Sequence, residues 1–276
     1  MDRIRLIASD MDATLLDEQS QLPADFEETI HALAELGIRF APASGRPLYT
    51  LEAMFPTLQD ELVFIGDNGG AIRWKGQNLF TSEMSPEGWR ALNRLTREQG
   101  DIAVLCGLES AYVERPFAVH DAVLRHFYTK IEYVDRLEDV AAPADKFTIY
   151  LPQHNAQQAY DTVYASQRSI YSVAVAGECW VDIMNPGVHK GAALQTLGQL
   201  WGLPPECIMA FGDTYNDAEM LQTVRYGFLM ENGSVPLRRN VPFLAPSNRE
   251  AGVMQVLHRV LAQNGCVCPE DFVPAH

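Results

Sequence analysis

Asp10 and Asp12 are two carboxylates separated by one residue, just after the short apolar run Ile4 to Ala8. Such a run predicts a buried strand, and in open α/β sheets ligands bind outside the carboxyl ends of the strands. There, one carboxylate can attack phosphorus as a nucleophile. The other can give a proton to the leaving oxygen and later take one from water. The alternative is a solvated turn that closes the strand.

A second set of oxygen-bearing side chains follows the apolar run Cys207 to Phe211. It comprises Asp213, Asn216 and Asp217, which lie within five residues of one another. Carboxylate and amide oxygens suit a hard cation, and Mg²⁺ neutralises phosphate oxygens during phosphoryl transfer. The alternative is an Asx-type turn that caps the next helix.

Two further segments could bind phosphate. Ser44-Gly45-Arg46 follows the second apolar run and offers a hydroxyl, accessible backbone N–H groups and the start of a helix. Lys190, followed by Gly191, stands at the start of a predicted helix and could present an ammonium to the same phosphate. Taken alone, a lysine in such a position is usually solvated.

Short apolar runs and longer amphipathic segments alternate at both ends of the chain, which predicts a parallel sheet covered by helices. We expect strands at 4–8, 38–42, 62–65, 207–211 and 225–230, and helices at 22–36, 49–55, 190–200, 217–221 and 252–261. Each chemical motif stands at the end of one of these strands or the start of one of these helices.

The middle of the chain has a different pattern and predicts a self-contained α+β unit inserted into the α/β unit. We expect helices at 86–99, 119–127 and 154–165, and strands at 102–105, 111–114 and 145–151. A hairpin is expected from 171–176 and 180–184, with its turn at Gly177-Glu178.

Composition restricts the partners. The net charge of −15 argues against nucleic acid or an anionic membrane surface, because both are bound by clustered Lys and Arg. We find no apolar stretch of about 20 residues and no signal peptide, so we expect no membrane span. The five cysteines are an odd number and mostly scattered, which favours a reduced, cytoplasmic location. We expect a monomer or a homodimer.

Taken in chain order, these motifs resemble the haloacid dehalogenase-like superfamily of phosphatases, and within it the Cof-type hydrolases with a large α/β cap (type IIB). The matching segments are Asp10-Met11-Asp12-Ala13-Thr14, Ser44-Gly45-Arg46, Asp67-Asn68-Gly69-Gly70, Lys190-Gly191 and Gly212-Asp213-Thr214-Tyr215-Asn216-Asp217. The resemblance implies a Rossmann-like, doubly wound parallel sheet as the α/β core, formed by residues 1–82 and 188–276. Residues 83–187 would form the inserted α+β cap, which would act as a lid and set substrate specificity.

The resemblance also implies a role for each matching residue. Asp10 would be the nucleophile and Asp12 the general acid/base. Both would bind Mg²⁺, Asp12 through its backbone carbonyl, together with Asp213 and with Asp217 in support. The residues implied to hold the phosphoryl group are Thr14, Ser44, Gly45, Lys190 and Asn216.

One position departs from the family pattern, because Ala13 stands where the family usually has glycine. If that position requires a positive φ, alanine would be strained by about 1 kcal/mol. We expect the variant to be tolerated, since every charged participant is present.

The sequence therefore predicts a magnesium-dependent phosphatase that hydrolyses phosphomonoesters of small metabolites, such as sugar phosphates or phosphorylated cofactors, through a phospho-aspartyl intermediate. Two alternatives remain open at this point. One is a phosphotransferase or phosphomutase on the same core, and the other is a non-catalytic phosphate-binding module.

Overall fold

The computed structural model describes residues 1–276 and contains a nine-stranded sheet, a six-stranded sheet and a short two-stranded sheet. The strands are β1 (Asp2–Arg3), β2 (Leu6–Asp10), β3 (Arg39–Ala43), β4 (Val63–Gly66), β5 (Ala71–Trp74), β6 (Gln77–Thr81), β7 (Ile102–Gly107), β8 (Ala111–Glu114), β9 (Ile131–Val134), β10 (Ala144–Tyr150), β11 (Ser172–Val175), β12 (Trp180–Met184), β13 (Ile208–Gly212), β14 (Tyr226–Met230), β15 (Phe243–Ala245), β16 (Cys266–Val267) and β17 (Val273–Pro274).

Eight α-helices connect or cover these strands. They are α1 (Phe26–Glu35), α2 (Leu48–Ala53), α3 (Pro86–Gln99), α4 (Asp121–Phe127), α5 (Ala156–Asp161), α6 (Lys190–Trp201), α7 (Ala218–Thr223) and α8 (Gly252–Ala262). None of them combines the length and apolar composition required to cross a membrane.

The nine-stranded sheet has the order β17-β15-β14-β13-β2-β3-β4-β5-β6, and its six central strands, from β15 to β4, run parallel. Apolar side chains of α1, α2 and α8 pack on one face, whereas those of α6 and α7 pack on the other. This is the doubly wound α/β architecture predicted from the sequence. Because the strands are buried on both faces, they are continuous apolar runs.

The six-stranded sheet comprises only strands between Ile102 and Met184, in the order β11-β12-β10-β7-β8-β9. All of its pairings are antiparallel except β8 with β9. Helices α3 and α5 pack on one face, and α4 covers part of the other. The predicted α+β insertion is confirmed, including the hairpin of β11 and β12.

The two segments that join the sheets lie side by side. Asn185 directly follows β12, and its side-chain amide donates to the backbone carbonyl oxygens of Ser82 and Glu83 at 3.2 Å and 2.8 Å. The Met84 amide donates to the Ala144 carbonyl at 2.7 Å. The chain therefore enters and leaves the insertion at nearly the same place.

Two predicted helices of the insertion are wrong in extent. The helix expected at 154–165 is only Ala156–Asp161. It does not begin at His154, because that residue has a φ of 56°, which a right-handed helix does not permit. The helix expected at 119–127 begins as a 3₁₀ segment, Arg115–His120, and becomes α-helical at Asp121. The hairpin of β5 and β6 was not predicted. Lys75 and Gly76 form its tight turn, and both have positive φ values.

Candidate active site

The site is built where two neighbouring parallel strands end. β2 ends at Asp10, and Asp213 directly follows β13. The two strands are paired so that Phe211 lies opposite Ser9, which brings both carboxylates to the same edge. Each residue is only 8 % exposed, so Asp10 is not part of the solvated turn considered above.

Lys190, the first residue of α6, lies fully buried between two carboxylates. Its ammonium donates to Asp10 Oδ1 and, at 2.6 Å, to Asp217 Oδ1. Gly191 permits this placement, since a Cβ there would lie 2.7 Å from the backbone carbon of Glu219. The glycine lets α6 approach α7 closely enough for the lysine to reach both acids.

The charges of this cluster influence one another strongly. Burial raises the pKa of Asp10 to about 8, although Lys190 acts in the opposite direction. Burial, with a further contribution from Asp217, raises the pKa of Asp213 to about 6. Burial alone would lower the pKa of Lys190, but the two adjacent carboxylates raise it above its ordinary value, so the lysine carries its charge.

Asp10, Asp213 and Asp217 form a group that fits a divalent metal ion. One carboxylate oxygen from each lies within 4.8 Å of the other two, and all three residues are buried. Oxygen-only donors are what Mg²⁺ prefers. Three carboxylates beside a single ammonium leave an excess of negative charge when all are ionised, and a divalent cation would compensate it.

Asp217 is also the third residue of a short 3₁₀ helix whose N-cap is Thr214. Its Oδ2 accepts from the backbone N–H groups of Asp213 and Thr214, at 3.0 Å and 3.2 Å, in a capping box. The structure therefore has a capping box where the sequence suggested an Asx-type turn, and this box coexists with the contact between Asp217 and Lys190. The capping box holds the loop that carries Asp213 in a fixed position.

Asp12 has a different environment from Asp10. Its side chain is 57 % exposed, and Oδ1 accepts from the Arg46 guanidinium at 2.9 Å. The contact joins the first motif to the Ser44-Gly45-Arg46 segment. Arg46 was part of a sequence motif, but this contact was not anticipated, because the two residues are distant along the chain.

Ala13 occupies the left-handed region, with φ 60° and ψ 9°, so the condition set out for this departure from the family pattern is met. The Asn232 amide donates to the Ala13 carbonyl at 2.8 Å, and the Asn248 amide donates to the Leu16 carbonyl at 2.9 Å. Both asparagines stabilise the strained loop. The sequence reasoning missed them, because they lie on separate loops more than 200 residues away.

The residues predicted to hold phosphate lie around this edge. Ser44 is buried, and its Oγ accepts from the Arg46 amide at 3.1 Å. Thr14 donates to Asp213 Oδ1 at 3.3 Å. The Asn216 side-chain oxygen accepts from the Thr214 hydroxyl. Ser44, Gly45 and Asn216 line one cleft together with Asp10, Asp12 and Asp213.

That cleft has a volume of about 1200 Å³ and extends from the strand edge to the inserted sheet. Its far wall includes the aromatic side chains of Phe127, Tyr128, Tyr160 and Trp180. The ring centroids of Phe127 and Trp180 are 5.0 Å apart. The cleft therefore joins a charged end in the core to an aromatic wall in the insertion.

Comparisons with known proteins agree with this architecture. The family model described as haloacid dehalogenase-like hydrolase matches residues 7–257. The 5-amino-6-(5-phospho-D-ribitylamino)uracil phosphatase YbjI of Escherichia coli K12 is 32% identical over 94% of this chain and 96% of its own. The HMP-PP phosphatase of Cronobacter sakazakii is 31% identical over 87% of this chain and 89% of its own. The crystal structure of SMU.1108c from Streptococcus mutans UA159 superposes with a TM-score of 0.85 and 28% identity, covering 94% of this chain and 99% of that one.

Mg²⁺ is expected to raise the Tm, and to raise it more at pH 8.5 than at pH 5.5. The reason is that pKa values of about 8 for Asp10 and about 6 for Asp213 keep protons on the ligands at low pH, and a metal must displace them. Thermal unfolding with and without Mg²⁺ measures the effect. Asp213→Asn should lose the increase in Tm, whereas Glu219→Gln, which changes an exposed acid on the same cleft, should keep it. An increase that is independent of pH and persists in Asp213→Asn would contradict the assignment.

Ala13→Gly is expected to leave the free energy of unfolding unchanged or to raise it by up to about 1 kcal/mol, because glycine adopts a positive φ without strain. The matched control is Ala91→Gly, since Ala91 is exposed in the interior of α3 and the same change there should cost about 1 kcal/mol. Urea unfolding measures both. Equal destabilisation by the two changes would show that the φ of Ala13 is not strained.

Proposed function

The chain belongs to the haloacid dehalogenase-like hydrolases, and on that premise we propose that it is a magnesium-dependent phosphatase of small phosphorylated metabolites. The observation that carries the proposal is the buried Lys190 ammonium between Asp10 and Asp217, beside Asp213. We further propose that residues 83–187 form its cap and that residues 1–82 and 188–276 form its catalytic core.

Asp10 is the nucleophile in this proposal. Its carboxylate oxygen forms a bond to phosphorus while the bond from phosphorus to the ester oxygen breaks, giving a phospho-aspartyl intermediate. A carboxylate approaching a phosphate dianion is repelled, and the fully buried Lys190 offsets that repulsion from one side. The contact between Lys190 and Asp10 also fixes the direction of the attacking carboxylate.

Asp12 is the general acid/base. It gives its proton to the leaving oxygen, then takes one from the water that attacks phosphorus and regenerates Asp10. Its exposure towards the cleft supports this role, since a proton shuttle must reach both substrate and water. Arg46 contacts only Oδ1 of Asp12, which leaves Oδ2 for these transfers.

Asp10, Asp213 and Asp217 would hold Mg²⁺, together with the Asp12 backbone carbonyl. The chemistry that Mg²⁺ supplies when bound is neutralisation of the phosphoryl oxygens. Thr14 orients Asp213 through its hydroxyl. Ser44, the backbone at Gly45, Lys190 and Asn216 would bind the phosphoryl group and hold it in line with Asp10.

The wall of the cleft favours an uncharged leaving group that carries a planar ring. Aromatic side chains line this wall, and its few charged groups are already paired. Lys146 contacts Asp182 at 3.7 Å, and the His154 imidazole contacts Glu178 at 3.1 Å. No free cation faces the leaving group from the cap, so a second anionic group would be unpaired there. The Escherichia coli relative is named as a phosphatase of 5-amino-6-(5-phospho-D-ribitylamino)uracil. The leaving group of that compound is uncharged and carries a planar ring.

The cysteines support a reducing, cytoplasmic location for this activity. All five are free thiols in the structure. Unpaired cysteines are typical of proteins from compartments that keep thiols reduced.

Hydrolysis of p-nitrophenyl phosphate with Mg²⁺ tests the proposed chemistry. Asp10→Asn should lower kcat by at least about 10³-fold, because the nucleophile is removed while the amide keeps its shape. The control is Glu178→Gln, which changes an exposed acid at the far wall and should leave kcat within about twofold. Retained activity in Asp10→Asn, or no hydrolysis of any phosphate ester by the wild type, would refute the proposal. A product phosphorylated on an added acceptor sugar would instead favour a phosphotransferase.

The substrate class is tested by comparing kcat/KM for 5-amino-6-(5-phospho-D-ribitylamino)uracil with that for phosphoglycolate, whose leaving group keeps a carboxylate. We expect a preference of at least about tenfold for the neutral ring, since an unpaired charge in the cleft costs about 1.4 kcal/mol or more. Phe127→Ala should lower kcat/KM for the ring-bearing ester and spare β-glycerol phosphate. A preference for phosphoglycolate would contradict the assignment of the wall.

A further inference from the structure

Lys146 is a buried cation that the catalytic scheme above does not use. It lies on β10 of the cap and is 2 % exposed. Its ammonium donates to the carbonyl oxygen of Gly45, in the core, at 2.5 Å. The contact joins a cap side chain to the backbone of the segment proposed to bind phosphate.

The Gly45 carbonyl belongs to the same peptide group as the Arg46 amide, and in a trans peptide the two point in opposite directions. A donor on that carbonyl therefore fixes the direction of the Arg46 N–H. That N–H donates to Ser44 Oγ at 3.1 Å. Because the Ser44 oxygen accepts this bond, its own O–H remains available to donate to a phosphoryl oxygen. A continuous chain of contacts thus runs from Lys146 to the Ser44 hydroxyl.

The charge of Lys146 strengthens each bond in this chain. Burial alone would lower the pKa of Lys146, but the carboxylates of Asp182 and Asp67 raise it well above its ordinary value. A charged donor on a carbonyl polarises the peptide group and makes its N–H a better donor. The bond from Arg46 to Ser44 therefore depends on a cation that belongs to the cap.

Neighbouring groups hold the ammonium in place. Asp67 Oδ1 lies 3.0 Å from Nζ as an ion pair without hydrogen-bond alignment, and Asp182 Oδ2 lies at 3.7 Å. Asp182 is itself fixed by the Thr148 hydroxyl at 2.6 Å and the Asn68 amide at 3.0 Å. The cluster therefore contains residues from the core and from the cap.

We propose that Lys146 is a positioning residue that orients Ser44 for phosphate binding, so that the affinity of the core for phosphate depends on a docked cap. The inference rests on the proposed function for the identity of the site. If the cap moves away, Gly45 loses its donor and Ser44 loses its fixed orientation. By linkage, phosphate binding then stabilises the docked cap to the same extent.

A second core–cap contact provides the matched control. Arg73, on β5, donates to Glu52 of the core at 3.1 Å and to Glu109 of the cap at 2.7 Å. It is buried like Lys146 but does not contact the Ser44-Gly45-Arg46 segment. If Lys146 only holds the cap, Arg73→Met should have the same effect as Lys146→Met.

The experiment measures the Kd of inorganic phosphate by calorimetry in the presence of Mg²⁺, and kcat and KM with p-nitrophenyl phosphate. Lys146→Met should weaken phosphate binding roughly tenfold and raise KM by a similar factor, with a smaller change in kcat. Lys146→Arg should recover most of the loss, and Arg73→Met should remain within about twofold of wild type. Equal weakening by Lys146→Met and Arg73→Met, or none by Lys146→Met, would overturn the proposal.

A double-mutant cycle tests the route through Ser44. Ser44→Ala combined with Lys146→Met should bind phosphate no more weakly than Ser44→Ala alone, because the second change then has nothing left to orient. Additive losses would overturn the proposal.

If Lys146→Met does not fold, because Asp67 and Asp182 are left without their cation, Lys146→Met/Asp67→Asn replaces it and is compared with Asp67→Asn. Phosphate binding needs no turnover, so a wild type that hydrolyses nothing would refute the proposed function while the binding data still decide the role of Lys146.

Discussion

The site depends on one buried cation held between two acidic side chains. Lys190 contacts Asp10 and Asp217, and none of the three could be buried at this edge without the others. An uncompensated charge in such surroundings would neutralise itself or unfold its environment. The arrangement therefore fixes the first turn of α6 against β2 and against the loop after β13.

The sequence predicted some residues of this arrangement and not others. Asp10 and Asp213 could be placed because each ends an apolar run, and the ends of neighbouring parallel strands meet. The burial of Lys190 could not be derived locally, since a lysine at the start of a helix is usually solvated. Only the close approach of α6 and α7 at Gly191 accounts for it. The partners of Asp12 and Ala13 depend on loops that are distant in sequence, and no local pattern reveals such contacts.

The cap was predicted as a class of structure but not in detail. The two strand-like segments 171–176 and 180–184 and the Gly177-Glu178 turn between them are local signals, and they predicted the hairpin. The start of α5 depends on the conformation of His154, for which a positive φ is not evident from residue type. The aromatic wall is formed by strands and helices that meet only in the folded cap, which is why Trp180 and Phe127 could not be assigned from their positions in the chain.

The joint at Asn185 has a consequence for folding. β2 pairs with β13 about 200 residues later in the chain, a separation that would normally make the pairing slow to form. Asn185, at the end of the insertion, contacts Ser82 and Glu83 at its start. The two ends of the folded insertion therefore lie close together. To the core it behaves as a short hairpin loop, and the entropy of closing the sheet then depends little on its length. At this joint an insertion of a different length would change the closure of the core sheet little, provided that its two ends meet as they do here.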